Sequence, residues 1–171
     1  VDRAAGNPFF LEELVRALAE GHGETSDTVL VMIQSRTEAL PARERRVLRA
    51  ASVFGEVFWS GGIAAVTGSS PDSIEPLIES LIGRELLVRR ATATFPSEIE
   101  LAFRHGLVRE GAYATLTDDD RRAAHLAAGT WLEGAGETNA LVLAEHFERG
   151  ERPERAATHY ARASQQAFEG G

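Results

Sequence analysis

The chain has 171 residues, of which 43% are hydrophobic and 26% charged, with 26 acidic against 18 basic side chains and a formal charge of -8. Every basic residue is arginine and cysteine is absent. Without lysine, neither a GxxxxGK[ST] phosphate loop nor a lysine Schiff base can be complete, and without cysteine there are no disulfides, thiolate metal sites or cysteine nucleophiles. The acidic balance weighs against nonspecific nucleic-acid binding, which relies on clustered cations. The absence of cysteine fits a reducing, cytoplasmic setting, and no apolar run approaches the roughly 20 residues needed to span a bilayer, so no membrane partner is expected. The chain opens Val1-Asp2-Arg3 and its single methionine is Met32, so it is expected to be a piece of a longer protein.

Alanine- and leucine-rich segments predict a mainly helical chain. A first helix is expected after Gly6, with Asn7 as N-cap, Pro8 at the first helical position and Phe10, Leu11, Leu14, Val15 and Leu18 at helical spacing. A second follows Ser26-Asp27 and carries Val29, Ile33 and Leu40 towards a core. Pro41 starts a third, with Val47, Leu48 and Ala51 on one face. Two short helices are expected next, near Gly62 to Val66 and from Pro71 to Leu81, the latter with Ile74, Leu77, Ile78, Leu81 and Ile82 on one side. Leu86 to Arg90 and Ile99 to Phe103 then read as two short strands joined by a polar stretch containing Pro96. Three helices followed by a two-stranded β-hairpin is the order of a winged helix, and a nearly all-helical domain with one irregular loop would give a similar pattern.

A helix is predicted from His105 to Leu116. Asp118-Asp119-Asp120 then supplies a cap and an acidic first turn, which the helix dipole favours. Helices over Arg121 to Leu132, Ala140 to Glu148 and Pro153 to Ala167 complete the chain, with Leu126, Trp131, Leu132, Leu141, Leu143, Ala144, Phe147, Ala157, Tyr160 and Ala161 along their apolar faces. Their spacing of about 34 residues suggests tetratricopeptide-like repeats. The expected organisation is 1–40, 41–117 for the winged-helix-like domain and 118–171 for the repeat-like helices.

Candidate chemistry is sparse. His22, His105, His125, His146 and His159 include no pair three to five residues apart and no HExxH, so no metal site is expected; His146 and His159 are expected at helix interfaces, with a ring nitrogen bonded to a neighbour. There is no GxSxG around any serine, and no catalytic residue is assigned. The third helix of the winged-helix pattern carries Asp72, Glu75 and Glu79 and no basic residue before Arg84, which opposes a place in a DNA groove. Arg43, Arg45, Arg46 and Arg49 form a basic stretch that reads as a solvated face or a set of ion pairs.

Two segments are more specific. Gly6-Asn7-Pro8-Phe9-Phe10-Leu11-Glu12-Glu13-Leu14 and Phe103-Arg104-His105-Gly106-Leu107-Val108-Arg109-Glu110-Gly111-Ala112-Tyr113 resemble the GNPFFLEEL and FRHxLVREAAY signatures of bacterial signal-transduction ATPases with numerous domains. These include predicted ATPases linked to cyclases, to kinases and to transcription activation. The resemblance implies the end of the ATPase lid, a winged helix and the start of the repeats. It also implies a regulatory, non-catalytic segment whose partners are an upstream ATPase core, downstream repeats and other proteins bound by the repeat helices. ATP or ADP with magnesium would be cofactors of the parent and not of this segment. In the wider class a lid proline approaches the adenine and a winged-helix histidine contacts the β-phosphate of ADP. Pro8 and His105 match those positions, and Pro8 also reads as an ordinary first-turn proline. Gly106 and Arg104 depart from the aspartate and methionine that flank the class histidine, and His105 also reads as a helix-start residue bonded locally.

Overall fold

The computed structural model of the chain describes residues 37 and 39–169. Among them, seven helices and one antiparallel sheet follow in the order α1 (Ala42–Ser52), β1 (Val57–Trp59), α2 (Ser60–Thr67), α3 (Pro71–Gly83), β2 (Leu87–Arg89), β3 (Glu100–Phe103), α4 (Gly106–Ala114), α5 (Asp118–Ala135), α6 (Ala140–Arg149) and α7 (Pro153–Glu169). The two helices expected before Pro41, and Pro8 with the first of them, lie outside the described residues. Only the end of the second is described, where Leu40 is buried as expected.

The expected two-stranded hairpin is instead a three-stranded sheet of order β1-β3-β2. The additional strand, β1, has only three residues, too few to display alternation, and it forms because β3 offers it a partner edge. Central β3 sets Leu101 opposite Phe58 and Glu100 opposite Trp59 on one side, and Phe103 opposite Leu87 on the other. Period-two alternation then sorts the side chains. Phe58, Leu101 and Phe103 point into a core, with the Phe58 and Phe103 rings 5.0 Å apart, while Trp59 and Glu100 meet on the opposite face.

That core is closed by helices whose apolar positions fall as their spacing predicts. Val47, Leu48 and Ala51 of α1, Ile63 of α2 and Ile74, Ile78 and Leu81 of α3 are buried around the inner sheet face, and Val108 and Ala112 of α4 complete it. At about 25 cal/mol per Å² of apolar surface removed from water, this cluster is the main driving force for the sheet-bearing half. Helix α3 runs through Pro76, which costs one backbone hydrogen bond, but the residue is exposed and water can serve the carbonyl it leaves.

In the helical half, Thr117 caps α5 by accepting a hydrogen bond from the Asp120 N–H at 3.2 Å. The cap expected from the Asp118-Asp119-Asp120 run thus falls one residue earlier, and the three aspartates fill the first turn as expected. Asn139 caps α6, accepting from the Leu141 and Val142 N–H groups. Two expectations about apolar faces are overturned. Leu141 is 47% exposed, because α6 turns Leu143, Ala144 and Phe147 inward. In α7 the inward residues are Ala156 and His159, one residue of register away from the expected face, whose Ala157 and Ala161 are exposed. The imidazole of His159 stacks on Phe147 with centroids 5.3 Å apart, so an aromatic histidine takes the place that an alanine stripe was expected to fill.

The two halves share a second apolar cluster that crosses the boundary expected at 117/118. Trp59 of β1 and Phe95 of the β2–β3 loop pack against Trp131 of α5, with Trp59 stacked on Trp131 at 5.7 Å and Phe95 edge-on to it at 5.6 Å. Phe54, from the turn after α1, meets both tryptophans edge-on. Four aromatic residues at one junction bury much apolar area in few rotatable bonds, which favours a stiff joint.

Candidate functional site

His105 occupies the N-cap position of α4 with extended backbone and is half-buried, but its side chain does not cap the helix. Its carbonyl accepts the Val108 N–H at 3.0 Å. Pro8, the other position matched by resemblance, lies outside the described residues.

The histidines that the fold does bring together are His125 and His146, 21 positions apart on α5 and α6. They are 2% and 5% exposed, and their Nδ1 atoms are 3.1 Å apart. The Tyr113 hydroxyl lies 3.0 Å from the His125 Nε2, extending the chain from α4 to α6. One proton per contact is required: if Tyr113 O–H donates to His125 Nε2, then His125 Nδ1–H donates to His146 Nδ1, and the reverse order works equally well. Protonating both rings would set two N–H groups against each other. Burial first, and then the charges of His146, Arg149 and Arg121, push His125 down to about 3. Burial and Arg149 push His146 down to about 4. The pair is therefore neutral near pH 7.

Close approach of α5 and α6 makes the pair possible, and glycine permits it. A Cβ on Gly129 would lie 2.9 Å from the His146 Cβ and 3.2 Å from the Phe147 ring. His159 also meets the expectation of an interface histidine, with its Nε2 3.1 Å from Glu133 Oε1.

Beside the histidine pair lies a cavity of about 300 Å³. Phe54 forms part of its wall, Arg109 and Tyr113 enter from α4, and Glu145, His146 and Arg149 enter from α6. The Nε of Arg109 is buried and has no hydrogen-bond partner. Neither this cavity nor the groove of about 400 Å³ beside Phe95 and Trp131 is lined by His105.

The β2–β3 loop is held against the body by two carboxylates. Glu100 accepts hydrogen bonds from the Trp59 indole at 3.0 Å and the Thr94 N–H at 2.7 Å, and pairs with Arg90 at 3.0 Å. Burial works against its charge, but those donors and Arg90 outweigh it and hold the carboxyl below the ordinary range. Glu98 accepts from the Gly61 N–H at 2.9 Å and from the Ser60 hydroxyl, at the start of α2. Between these anchors, Phe95 is only 5% exposed.

The outer face of α3 exposes Asp72, Glu75 and Glu79, and Arg89 is paired with Glu79. The α1 arginines are largely committed within the fold: Arg45 donates to the Leu40 carbonyl, Arg46 to the Thr67 carbonyl and Arg49 to the Thr115 hydroxyl. Among the described residues, no group of three or more histidine, cysteine, aspartate or glutamate side chains is arranged to hold a metal ion. No described helix is long and apolar enough to cross a membrane. Comparison with family models, with curated proteins and with solved structures finds no match in any of the three.

Proposed function

We propose that the chain is the relay segment of a multidomain signalling ATPase, a winged helix fused to the first repeat helices, which passes the nucleotide state of an upstream core to effector or repeat domains. The element order α1-β1-α2-α3-β2-β3 and the sheet order β1-β3-β2 fit a winged helix whose wing is the β2–β3 loop. The observation that carries the relay reading is the junction of Phe54, Trp59, Phe95 and Trp131. A relay must move its two ends together, and the packing of the stacked tryptophans between the sheet-bearing half and the repeat-like helices supports that reading. The signatures around Pro8 and His105 supply the nucleotide end of this reading, with His105 facing the ADP phosphates of the parent.

The second reading, a DNA-binding winged helix, has less support. The recognition position is α3, whose exposed carboxylates would meet phosphates. The wing is pinned through Phe95, Glu98 and Glu100 and is not free to enter a groove. A third reading, a scaffold bound through α5 to α7, differs in placing the working surface away from His105.

Isothermal titration of the chain with ATP and ADP tests the relay reading first. No binding and no turnover are expected, and micromolar affinity would contradict it. In the parent, His105→Ala should alter nucleotide exchange or basal signalling; unchanged behaviour would leave His105 a structural residue.

A further inference from the structure

The cavity beside the histidine pair has a chemistry that neither the junction nor His105 uses. Two guanidinium groups, Arg109 and Arg149, face it against one carboxylate, Glu145. The two imidazoles there are neutral near pH 7 and supply ring nitrogens without charge. The cavity is thus positively biased, and it lies between helices, where the low-dielectric surroundings strengthen a charged contact. Its other wall is apolar, formed by Phe54 and Val142.

Arg109 is the most telling residue. Its Nε is buried with no hydrogen-bond partner, and its ion pair with Glu110 is long, at 4.0 Å. A buried donor left unpaired is costly, so an acceptor that the Arg109 side chain can turn to meet would recover part of that cost as binding free energy. At about 300 Å³ the space is at the small end of ligand pockets.

We propose that this cavity binds a small organic anion, one carboxylate or phosphate group on a short apolar body, with Arg109 as its principal anchor and Arg149 at its mouth. The anionic group accepts from the Arg109 guanidinium, and the apolar body lies against Phe54 and Val142. Because Phe54 also meets Trp59 and Trp131, an occupant would touch the junction between the two halves directly. The site stands on its own geometry and does not depend on the relay reading.

Titration calorimetry at pH 7 with benzoate and with phenyl phosphate separates the two anion chemistries, and benzyl alcohol serves as the neutral counterpart. Saturable binding of at least one anion is expected, about tenfold weaker in Arg109→Gln, as the loss of one charge-assisted hydrogen bond implies. Arg149→Gln should weaken it less, and Arg43→Gln, on the exposed start of α1, should leave it unchanged. If circular dichroism shows Arg109→Gln unfolded, the exposed Arg149→Gln carries the same comparison. Absence of saturable binding by both anions, equal binding of benzyl alcohol, or undiminished affinity in the arginine variants would overturn the proposal.

Discussion

The sheet-bearing half, residues 42–116, and the helical half, residues 118–169, bury polar groups by opposite means. In the former, buried carboxyl groups are surrounded by donors and cations: Glu44 accepts from the Ser80 hydroxyl and is ion-paired with Arg84, and Glu100 accepts from Trp59 and Thr94 and is ion-paired with Arg90. In the latter, His125 and His146 are buried as neutral rings that use each other and Tyr113. A carboxylate offers only acceptors and needs donors brought to it, which a loop such as β2–β3 can supply. An imidazole carries both a donor and an acceptor, so two can satisfy one another between packed helices. The first arrangement ties α1 to α3 through Glu44 and fixes the β2–β3 loop through Glu100, the second fixes a helix pair, and the aromatic junction ties the two halves together.

The largest expected effect is at that junction. Trp59→Ala removes the ring stacked on Trp131 and the donor to Glu100, and should cost about 4 kcal/mol of unfolding free energy. Urea unfolding followed by far-ultraviolet circular dichroism measures it. A loss confined to one half, seen as a second transition, would break the view that the halves share one core.

Acid should separate the two burial strategies. The folded pKa values of His125 and His146 lie below the ordinary 6.5, so the unfolded chain takes up protons first and stability falls as the pH drops below 6.5 towards about 4 and about 3. By pH 5 the expected loss is roughly 2 kcal/mol per histidine. Glu100 behaves the other way: its folded pKa is lowered, so its contribution is present above about 4.5 and is lost only as the pH falls through the folded value. Unfolding free energies between pH 7 and 5 should therefore fall in the native chain and fall much less in the double variant His125→Gln, His146→Gln. An equal slope in both would remove the histidine pair from the account.

Smaller effects probe the closeness of α5 and α6. Gly129→Ala should destabilise by about 1–2 kcal/mol, since its Cβ meets His146 and Phe147. Gly134→Ala, five residues along the same helix with nothing within 4 Å of the new Cβ, should stabilise by about 0.5–1 kcal/mol through helix propensity alone. Thermal melts of the two variants check the opposite signs.

Much of the fold was legible because helical periodicity repeats over many residues. The faces of α1, α3 and α4 fell where Val47, Ile74, Ile78 and Val108 placed them, and β2 and β3 lay within the expected strands. Strand β1 was not legible, because three residues have no period and its strand character comes from pairing with β3. The inward face of α7 was misread at Ala157 and Ala161, because alanines recur all round this helix and do not mark its inner face, whereas the interface position expected for His159 is met by its stacking on Phe147 and its contact with Glu133. The histidine pair was hidden for another reason. Interface positions for His146 and His159 could be expected from their helices, but the contact of His146 with His125 depends on how α5 crosses α6. The one local signal was Gly129, a small residue inside a long helix.

Trp59, Phe95 and Trp131 should join the two halves into one cooperative body. Native-state hydrogen exchange at neutral pH tests it most directly, by comparing the slowest amides of α1 and β3 with those of α6. One common opening free energy is expected for all three elements, equal to that of global unfolding. Exchange of α6 at a free energy several kcal/mol lower, with α1 and β3 still protected, would show two independent units and contradict it.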